Sequence, residues 1–277
     1  MPTYKYGELC HFNGPSEFYE GIASKPIISK PKTSQDKGLS GWHGTSSWEE
    51  AQRLAVAGWP EGVSAAKPLM HRISTRLVES LKRPEIVYDV TGDMFDMGKV
   101  VEEVPECWMK WEDGQEASIT SPVHIVSNVS ASCGISPETI IRKGSAVMAL
   151  VMVLEASGRR CKVDVCCSLD SGYGRSTSSW GEMSLTVKDY YDDLNLDALA
   201  YPLMQPSFLR RHVFRFAEVS FEDLDSGYGM PADPKWANRG DIFLSRALNS
   251  DPQWESDKAA MTWVLGELRK QKVDFKD

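Results

Sequence analysis

The sequence predicts an α/β fold: a Rossmann-like domain with a parallel sheet in the C-terminal part, preceded by a helical region and an extended arm. Residues 124–129 form a short apolar run typical of a buried strand, and residues 161–169 form a second one. Between them, Ser136 and Pro137 are typical of a helix start and Gly158 of a helix end. A strand–helix–strand unit of this kind makes its two strands parallel and joins them by a right-handed crossover.

Composition limits the classes of protein to consider. The chain has 277 residues, of which 42% are hydrophobic and 25% charged, which suits one large domain or two modest ones. Its formal net charge of −8 argues against nucleic acid as the main ligand, because phosphate binding depends on clustered Lys and Arg. It contains no run of about 18 apolar residues, so no membrane span is expected, and its start lacks the pattern of a signal peptide. The six cysteines form no C-x-x-C pair, which indicates reduced thiols and a cytoplasmic location.

The first 115 residues are predicted to contain an arm and a helical region. Residues 1–40 carry Lys-Pro pairs and turn residues instead of a periodic pattern, so we expect an extended arm. Ser46 and Glu49 have the spacing of a capping box, and the helix that they begin would end at Gly58, with Pro60 preventing its continuation. The patterns in the rest of this region, 41–115, predict a helix at 68–82, a strand at 86–90 and a domain boundary in the polar stretch 112–116.

The C-terminal domain, 116–277, is expected to continue beyond the strand–helix–strand unit. Arg210, Arg211 and Arg215 fall on one of its predicted helices. Because apolar neighbours on that helix would face the core, we expect the three arginines to face water, with a small anion-binding patch as the alternative. The further elements predicted are a strand at 183–190 and helices at 196–204, 207–217 and 256–270.

The loop between the first strand and its helix is the best candidate for a ligand site. Asn128, Ser130 and Ser132 come at the carboxyl end of that strand, which is where open α/β sheets bind their ligands. Their oxygen atoms would suit a hard cation such as Mg²⁺, although a carboxylate usually accompanies such ligands. The three residues form the predicted binding loop, and Ser130 and Ser132 are its candidate metal ligands.

Roughly residues 120–218 resemble von Willebrand factor A-like domains, in which a strand, a D-x-S-x-S loop, a helix and a strand form a metal-ion-dependent adhesion site. Ser130 and Ser132 match the serines of that loop, whereas Asn128 stands where the aspartate is expected. The resemblance implies a Mg²⁺ site completed by a later Thr and Asp, for which Thr186 and Asp189 are candidates. Because the missing carboxylate removes the charge that attracts a divalent ion, we expect a metal-free loop. Such domains serve as adaptors for AAA+ ATPases or as assembly parts, which implies a protein partner.

A second resemblance covers most of the chain. The runs 41–51 and 58–62, together with 136–140 and 206–211, are similar to segments of an uncharacterised family of bacteriophage proteins. This resemblance implies a phage origin and expression in the host cytoplasm. It implies no activity.

The motif Trp42-His43-Gly44-Thr45 also resembles the W-H-G-[ST] motif of ADP-ribosyltransferases of the poly(ADP-ribose) polymerase type. That resemblance implies NAD held by His43 and the Gly44 backbone, with Tyr88 as the later tyrosine and Glu102 or Glu103 as the glutamate. Against it, the residues before His43 are polar and turn-like, where the family has a strand. The capping box that follows explains its own serine and glutamate without a ligand.

No complete catalytic constellation accompanies these motifs. The five histidines lack the spacing of metal ligands, and the chain has no nucleophile elbow, Walker A loop or dinucleotide-binding glycine motif. We therefore expect a non-enzymatic protein–protein interaction or assembly protein, whose partner is an AAA+ ATPase, another protein or a second copy of the chain. The NAD-dependent transferase and a structural component of a virion are the alternatives.

Overall fold

The computed structural model describes residues 9–30, 32–38, 40–78, 86–111, 121–170, 180–221, 228, 230–235 and 237–271. In these ranges the chain forms two β-sheets and a set of helices. The strands are β1 (Leu9–Phe12), β2 (Ile86–Asp89), β3 (Met94–Phe95), β4 (Trp108–Trp111), β5 (Val123–Asn128), β6 (Cys161–Asp170), β7 (Trp180–Lys188), β8 (Met230–Ala232) and β9 (Ile242–Leu244). The helices are α1 (Pro15–Ala23), α2 (Ser40–His43), α3 (Trp48–Ala57), α4 (Pro60–Val78), α5 (Met97–Val101), α6 (Pro137–Ala156), α7 (Leu196–Met204), α8 (Phe214–Ser220) and α9 (Asp257–Lys270), and a π-helical segment (Phe208–Val213) leads into α8.

The larger sheet has the strand order β1-β7-β6-β5-β9, and β8 pairs with the end of β6. Strand β5 runs parallel to both β6 and β9, and β1 runs parallel to β7, whereas β6 and β7 are antiparallel. Helix α6 joins β5 to β6, so the predicted strand–helix–strand unit is confirmed. The strand predicted at 183–190 belongs to β7, and the helices predicted at 196–204 and 256–270 are α7 and α9. The protein therefore has the α/β fold with a mostly parallel sheet that the sequence predicts.

The two faces of this sheet are covered differently. Side chains alternate along a strand, so Val123 and Ile125 point to one face, where both are fully buried in the main core. Helices α1, α4, α6, α7 and α9 contribute to the same core. On the opposite face, Val126 and Cys166 pack with Ala237, from the segment that precedes β9. With both faces occupied at this point, the carboxyl edge of the strands is the natural place for a ligand.

The arm predicted at 1–40 is partly wrong, because β1 and α1 lie within it. Gly14 has an extended backbone and Pro15 begins α1, where the fixed φ of proline suits the first helical position. Phe18 of α1 is fully buried, and Phe12 of β1 packs edge-on against it with the ring centroids 5.1 Å apart. Elements of four and nine residues are too short to show a clear hydrophobic period.

The next two helices begin at residues other than those predicted. The N-cap of α3 is Ser47, whose hydroxyl accepts from the amide of Glu50 at 3.2 Å. The amide of Ser46 donates to the Glu50 carboxylate at 2.6 Å, so a capping box exists one residue later than predicted. Helix α4 begins at Pro60 and continues through Pro68. Helix α3 ends at Ala57 with Gly58 as its C-cap, as predicted. The predicted start of the second helix at 68 is wrong, because proline is readily accepted at the first helical position.

Strands β2, β4 and β3 form a separate antiparallel sheet, which together with α5 we call the small sheet (residues 86–111). The strand predicted at 86–90 is confirmed as β2, while β3, α5 and β4 occur where the sequence predicts no regular element. Among its side chains with a described exposure, none is buried. The boundary predicted at 112–116 and the helix end predicted at 82 lie outside the described residues.

Candidate functional site

The loop after β5 is held by hydrogen bonds among residues of the predicted binding loop. Asn128, the last residue of β5, is fully buried. Its side-chain oxygen accepts from the amide of Ser130 at 3.0 Å and from the Ser130 hydroxyl at 2.7 Å. Its side-chain nitrogen donates to the carbonyl of Ala232 at 2.8 Å and to the Asp233 carboxylate at 3.1 Å. Asn128 and Ser130 are therefore brought together as a closed turn, with the amide engaged at both ends.

A buried lysine lies next to this loop. Lys143 of α6 is 6% exposed, and its ammonium donates to the backbone carbonyls of Asn128 at 2.6 Å and Ser245 at 2.5 Å. Burial lowers the pKa of the Lys143 ammonium to about 8. The lysine thus binds carbonyl oxygens at the carboxyl ends of β5 and β9. A divalent cation at Ser130 would lie near this positive charge, which disfavours it.

The other residues considered as metal ligands lie apart from this turn. Ser132 lies beyond it, and its hydroxyl bonds to none of the described residues. Thr186 lies on β7, separated from β5 by β6, and its side chain bonds to its ladder partner Asp164. Asp189 follows the end of β7, towards the amino end of β5 and away from the loop. Within the described ranges, no three His, Cys, Asp or Glu side chains are grouped so that they could hold a metal ion.

The three arginines near residue 210 are buried, which contradicts the prediction that they face water. The exposed fractions of Arg210, Arg211 and Arg215 are 1%, 0% and 7%. Arg211 donates to the backbone carbonyls of Ser34 at 2.8 Å and Thr45 at 2.9 Å, and Arg215 binds the backbone around the end of α1 in the same way. The segment between α1 and α3 has little regular structure of its own. Its buried carbonyl groups need donors from elsewhere, and the arginines supply them.

Arg210 differs from the other two because it lines a cavity of about 520 Å³ at the carboxyl edge of β5 and β6. Its guanidinium donates to the carbonyl groups of Trp42 and Ile135, and its Cζ atom lies 4.3 Å from the centroid of the Trp42 ring. Burial lowers the pKa of Arg210 to about 10. Nowhere in the described part of the chain does a carboxylate form an ion pair with this side chain. This cavity was not predicted from the sequence, but Ser130 and Ser132 of the predicted binding loop form part of its wall.

The residues considered for an NAD site are explained by local packing. His43 ends α2 and is fully buried, with its Nε2 atom 3.0 Å from the carbonyl oxygen of Thr33. Gly44 has a φ of +77°, a conformation that favours glycine. Tyr88 lies on the small sheet, where its hydroxyl donates to Asp96 at 3.0 Å, and the glutamates at 102 and 103 are exposed there. His43 and Tyr88 therefore lie in different parts of the fold, and each is hydrogen-bonded to a residue near it.

The small sheet presents large apolar side chains to the surface. Val101, Met94 and Met97 are 76%, 62% and 61% exposed, and Phe95 and Trp108, whose rings meet edge-on at 5.4 Å, are also exposed. This stretch has six acidic residues and two lysines. The acidic residues are Asp89, Asp93, Asp96, Glu102, Glu103 and Glu106, and the lysines are Lys99 and Lys110.

Comparison with known proteins gives a family but no activity. A family model described as a domain of unknown function, DUF7192, matches residues 5–274. No curated protein and no solved structure matches the chain. In the described ranges, no helix combines the length and the apolar character needed to cross a membrane.

Proposed function

We propose that this chain, which belongs to the DUF7192 family of unknown function, is a non-enzymatic protein-interaction or assembly protein. In this proposal the small sheet is the docking surface, and its occupant is a basic, apolar segment of a different protein. The observation that carries the proposal is that a three-stranded sheet with many large apolar side chains buries none of those whose exposure is described.

In the small sheet, no side chain whose exposure is described is buried. A small antiparallel sheet needs a buried apolar face to be stable in water. Here Met94, Phe95, Met97 and Val101 are all at least half exposed, and none of the small sheet's residues belongs to the main core. Large exposed apolar side chains that are grouped in one small part of a fold are typical of protein interaction sites. A partner that covers them would bury this apolar surface.

The charge of the small sheet favours a basic partner. The small sheet has a formal charge of −4, from six carboxylates and two lysines. Both lysines are already engaged: the Lys110 ammonium lies 2.6 Å from Asp89, and the Lys99 ammonium lies 3.2 Å from the centroid of the Tyr88 ring. The exposed glutamates therefore have no local counter-charge to spare. A second copy of the chain would bring like charges together at this surface, so a basic partner fits better.

The finer predictions from the sequence remain part of the proposal. The order of β5, the Asn128–Ser130 turn, α6 and the parallel β6 supports a von Willebrand A-like interpretation of the larger sheet. An AAA+ ATPase that presents a basic apolar segment would be a suitable partner. The phage origin, the cytoplasmic location and a bound Mg²⁺ ion stay predictions from resemblance, and the Lys143 ammonium argues against the ion.

Selection from a random peptide display library tests the proposal with a defined probe. We expect the immobilised full-length chain to enrich peptides that combine Lys or Arg with apolar residues. Their binding should fall at least about tenfold in the double variant Met97→Lys, Val101→Lys, because both substitutions replace apolar contact surface with positive charges that repel a basic peptide. It should also weaken with added salt.

The matched control is Val56→Lys, the same kind of change at a residue of α3 that is 87% exposed. This variant should bind the selected peptides as well as the unmodified chain does. Failure to enrich any peptide would refute the proposal. So would enrichment of acidic peptides, or of peptides that bind the double variant undiminished.

A further inference from the structure

We propose that the cavity at the carboxyl edge of β5 and β6 is a binding site for a small aromatic oxyanion, that is, a carboxylate or phosphate attached to an aromatic body. This site is separate from the small sheet and does not depend on the function proposed above. Three features of the cavity support this assignment: its charge and hydrogen-bond donors, the apolar surface beside them, and its place in the fold.

The polar part of the cavity is electropositive and has donors to spare. Arg210 is 1% exposed and lines the cavity, and the structure pairs its charge with no carboxylate of the described residues. Ser132 and Ser168 also line it, and the hydroxyl of each lacks a hydrogen-bond partner among the described residues, whereas the Thr33 hydroxyl bonds to Tyr228. Ser168 is only 4% exposed, and it forms part of the cavity wall. A buried cation and unused hydroxyl donors together favour an anionic group.

The remaining surface of the cavity suits an apolar body. Trp42 stacks with the guanidinium of Arg210 and forms part of the wall, which also includes Leu209 and Phe214. The volume of about 520 Å³ lies within the range of small-molecule sites, which are mostly apolar with a few placed polar groups. Inorganic phosphate alone would leave this apolar wall unused.

The position in the fold supports the same conclusion. The cavity lies at the carboxyl ends of the parallel strands β5 and β6, with Ser130 after β5 and Ser168 near the end of β6 in its wall. In open α/β sheets, ligands bind at the carboxyl ends of the strands. The loop that carries Ser130 and Ser132 begins there and forms one wall of the cavity.

Isothermal titration calorimetry of the full-length chain tests this site with four probes: indole-3-acetate, phenyl phosphate, indole-3-acetamide and inorganic phosphate. We expect at least one of the two aromatic acids to bind, and to bind at least about tenfold more tightly than the neutral amide or inorganic phosphate, because only the acids meet both the cation and the apolar wall. The proposal is overturned if neither acid binds at millimolar concentration. Equal affinity for the amide, or for inorganic phosphate, overturns it as well.

Two variants connect the binding to this cavity. Ser132→Asp should abolish it, because it adds a negative charge to the cavity wall without removing a hydrogen bond that the structure uses. Ser64→Asp, the same change on an exposed position of α4, should leave it intact. Arg210→Met should weaken the binding of the acids and spare that of the amide. If this variant fails to fold, Ser132→Asp still decides, since unchanged affinity there would refute the site.

Discussion

Replacing Lys143 by methionine removes a buried ammonium and keeps a side chain of similar length. In the native protein this ammonium donates to the carbonyl groups of Asn128 and Ser245. The variant leaves both carbonyls without this donor, which costs about 1–3 kcal/mol for each. The substitution also removes the free-energy cost of taking the Lys143 charge out of water on folding. The two effects oppose each other near neutral pH, so the informative quantity is how their balance changes with pH.

The direction of that change follows from the pKa of Lys143. Burial lowers it from 10.5, its ordinary value, to about 8 in the folded protein. Between these two values the unfolded chain binds the proton and the folded chain does not, so the free energy of unfolding rises with pH. The cost of burying the charge is complete below pH 8 and has disappeared near pH 10.5. The difference between the two pKa values corresponds to about 3 kcal/mol in the free energy of unfolding.

Urea unfolding of the native protein and Lys143→Met at several pH values between about 7 and about 10.5 measures this effect. Other lysines, tyrosines and cysteines titrate in both proteins, so their contributions cancel in the difference. We expect the native protein to gain about 3 kcal/mol relative to the variant across this range. A difference that stays constant within about 1 kcal/mol, or that falls as pH rises, would refute the assignment of a desolvated ammonium at this position.

Three further substitutions test the packing. Arg211→Met should lower the free energy of urea unfolding by at least about 3 kcal/mol, because it leaves two buried carbonyls and a hydroxyl without their donor; Arg53→Met on the exposed face of α3 should change it by less than about 0.5 kcal/mol. Gly144→Ala should cost about 1–3 kcal/mol, since a Cβ there would overlap the Leu203 carbonyl of α7. Gly266→Ala in α9, where a Cβ meets nothing within 4 Å, should instead stabilise by about 0.5–1 kcal/mol, and equal effects of the two in thermal unfolding would contradict the close α6–α7 approach. Ser47→Ala should cost about 1 kcal/mol as the N-cap of α3, and an effect smaller than that of Ser46→Ala would show the cap to be misplaced.

The sequence located the loop after β5 but not the groups around it. Asn128, Ser130 and Ser132 were found because the end of a strand and the start of a helix are local signals. Lys143 and Arg210 were missed because their roles depend on chain segments that are distant in sequence. Arg211, Arg215 and Glu218 share one face of a regular helix, a pattern typical of a solvent-exposed face, so the sequence carried no signal that the arginines are buried.

Several features of this protein were determined by the sequence alone. The period of apolar residues, the N-cap at Ser136 with Pro137, and the end at Gly158 specify α6 and its flanking strands, because each signal acts over a few residues. Composition indicates a globular chain with an ordinary content of hydrophobic residues.

Tertiary structure decided the rest. It placed β1 beside β7, buried three arginines against the segment between α1 and α3, and put a lysine beside the predicted metal loop. It also left large apolar side chains of the small sheet exposed. These outcomes depend on which groups become desolvated together. A buried carbonyl needs a donor and a buried cation needs acceptors, and those partners come from wherever the folded chain brings them.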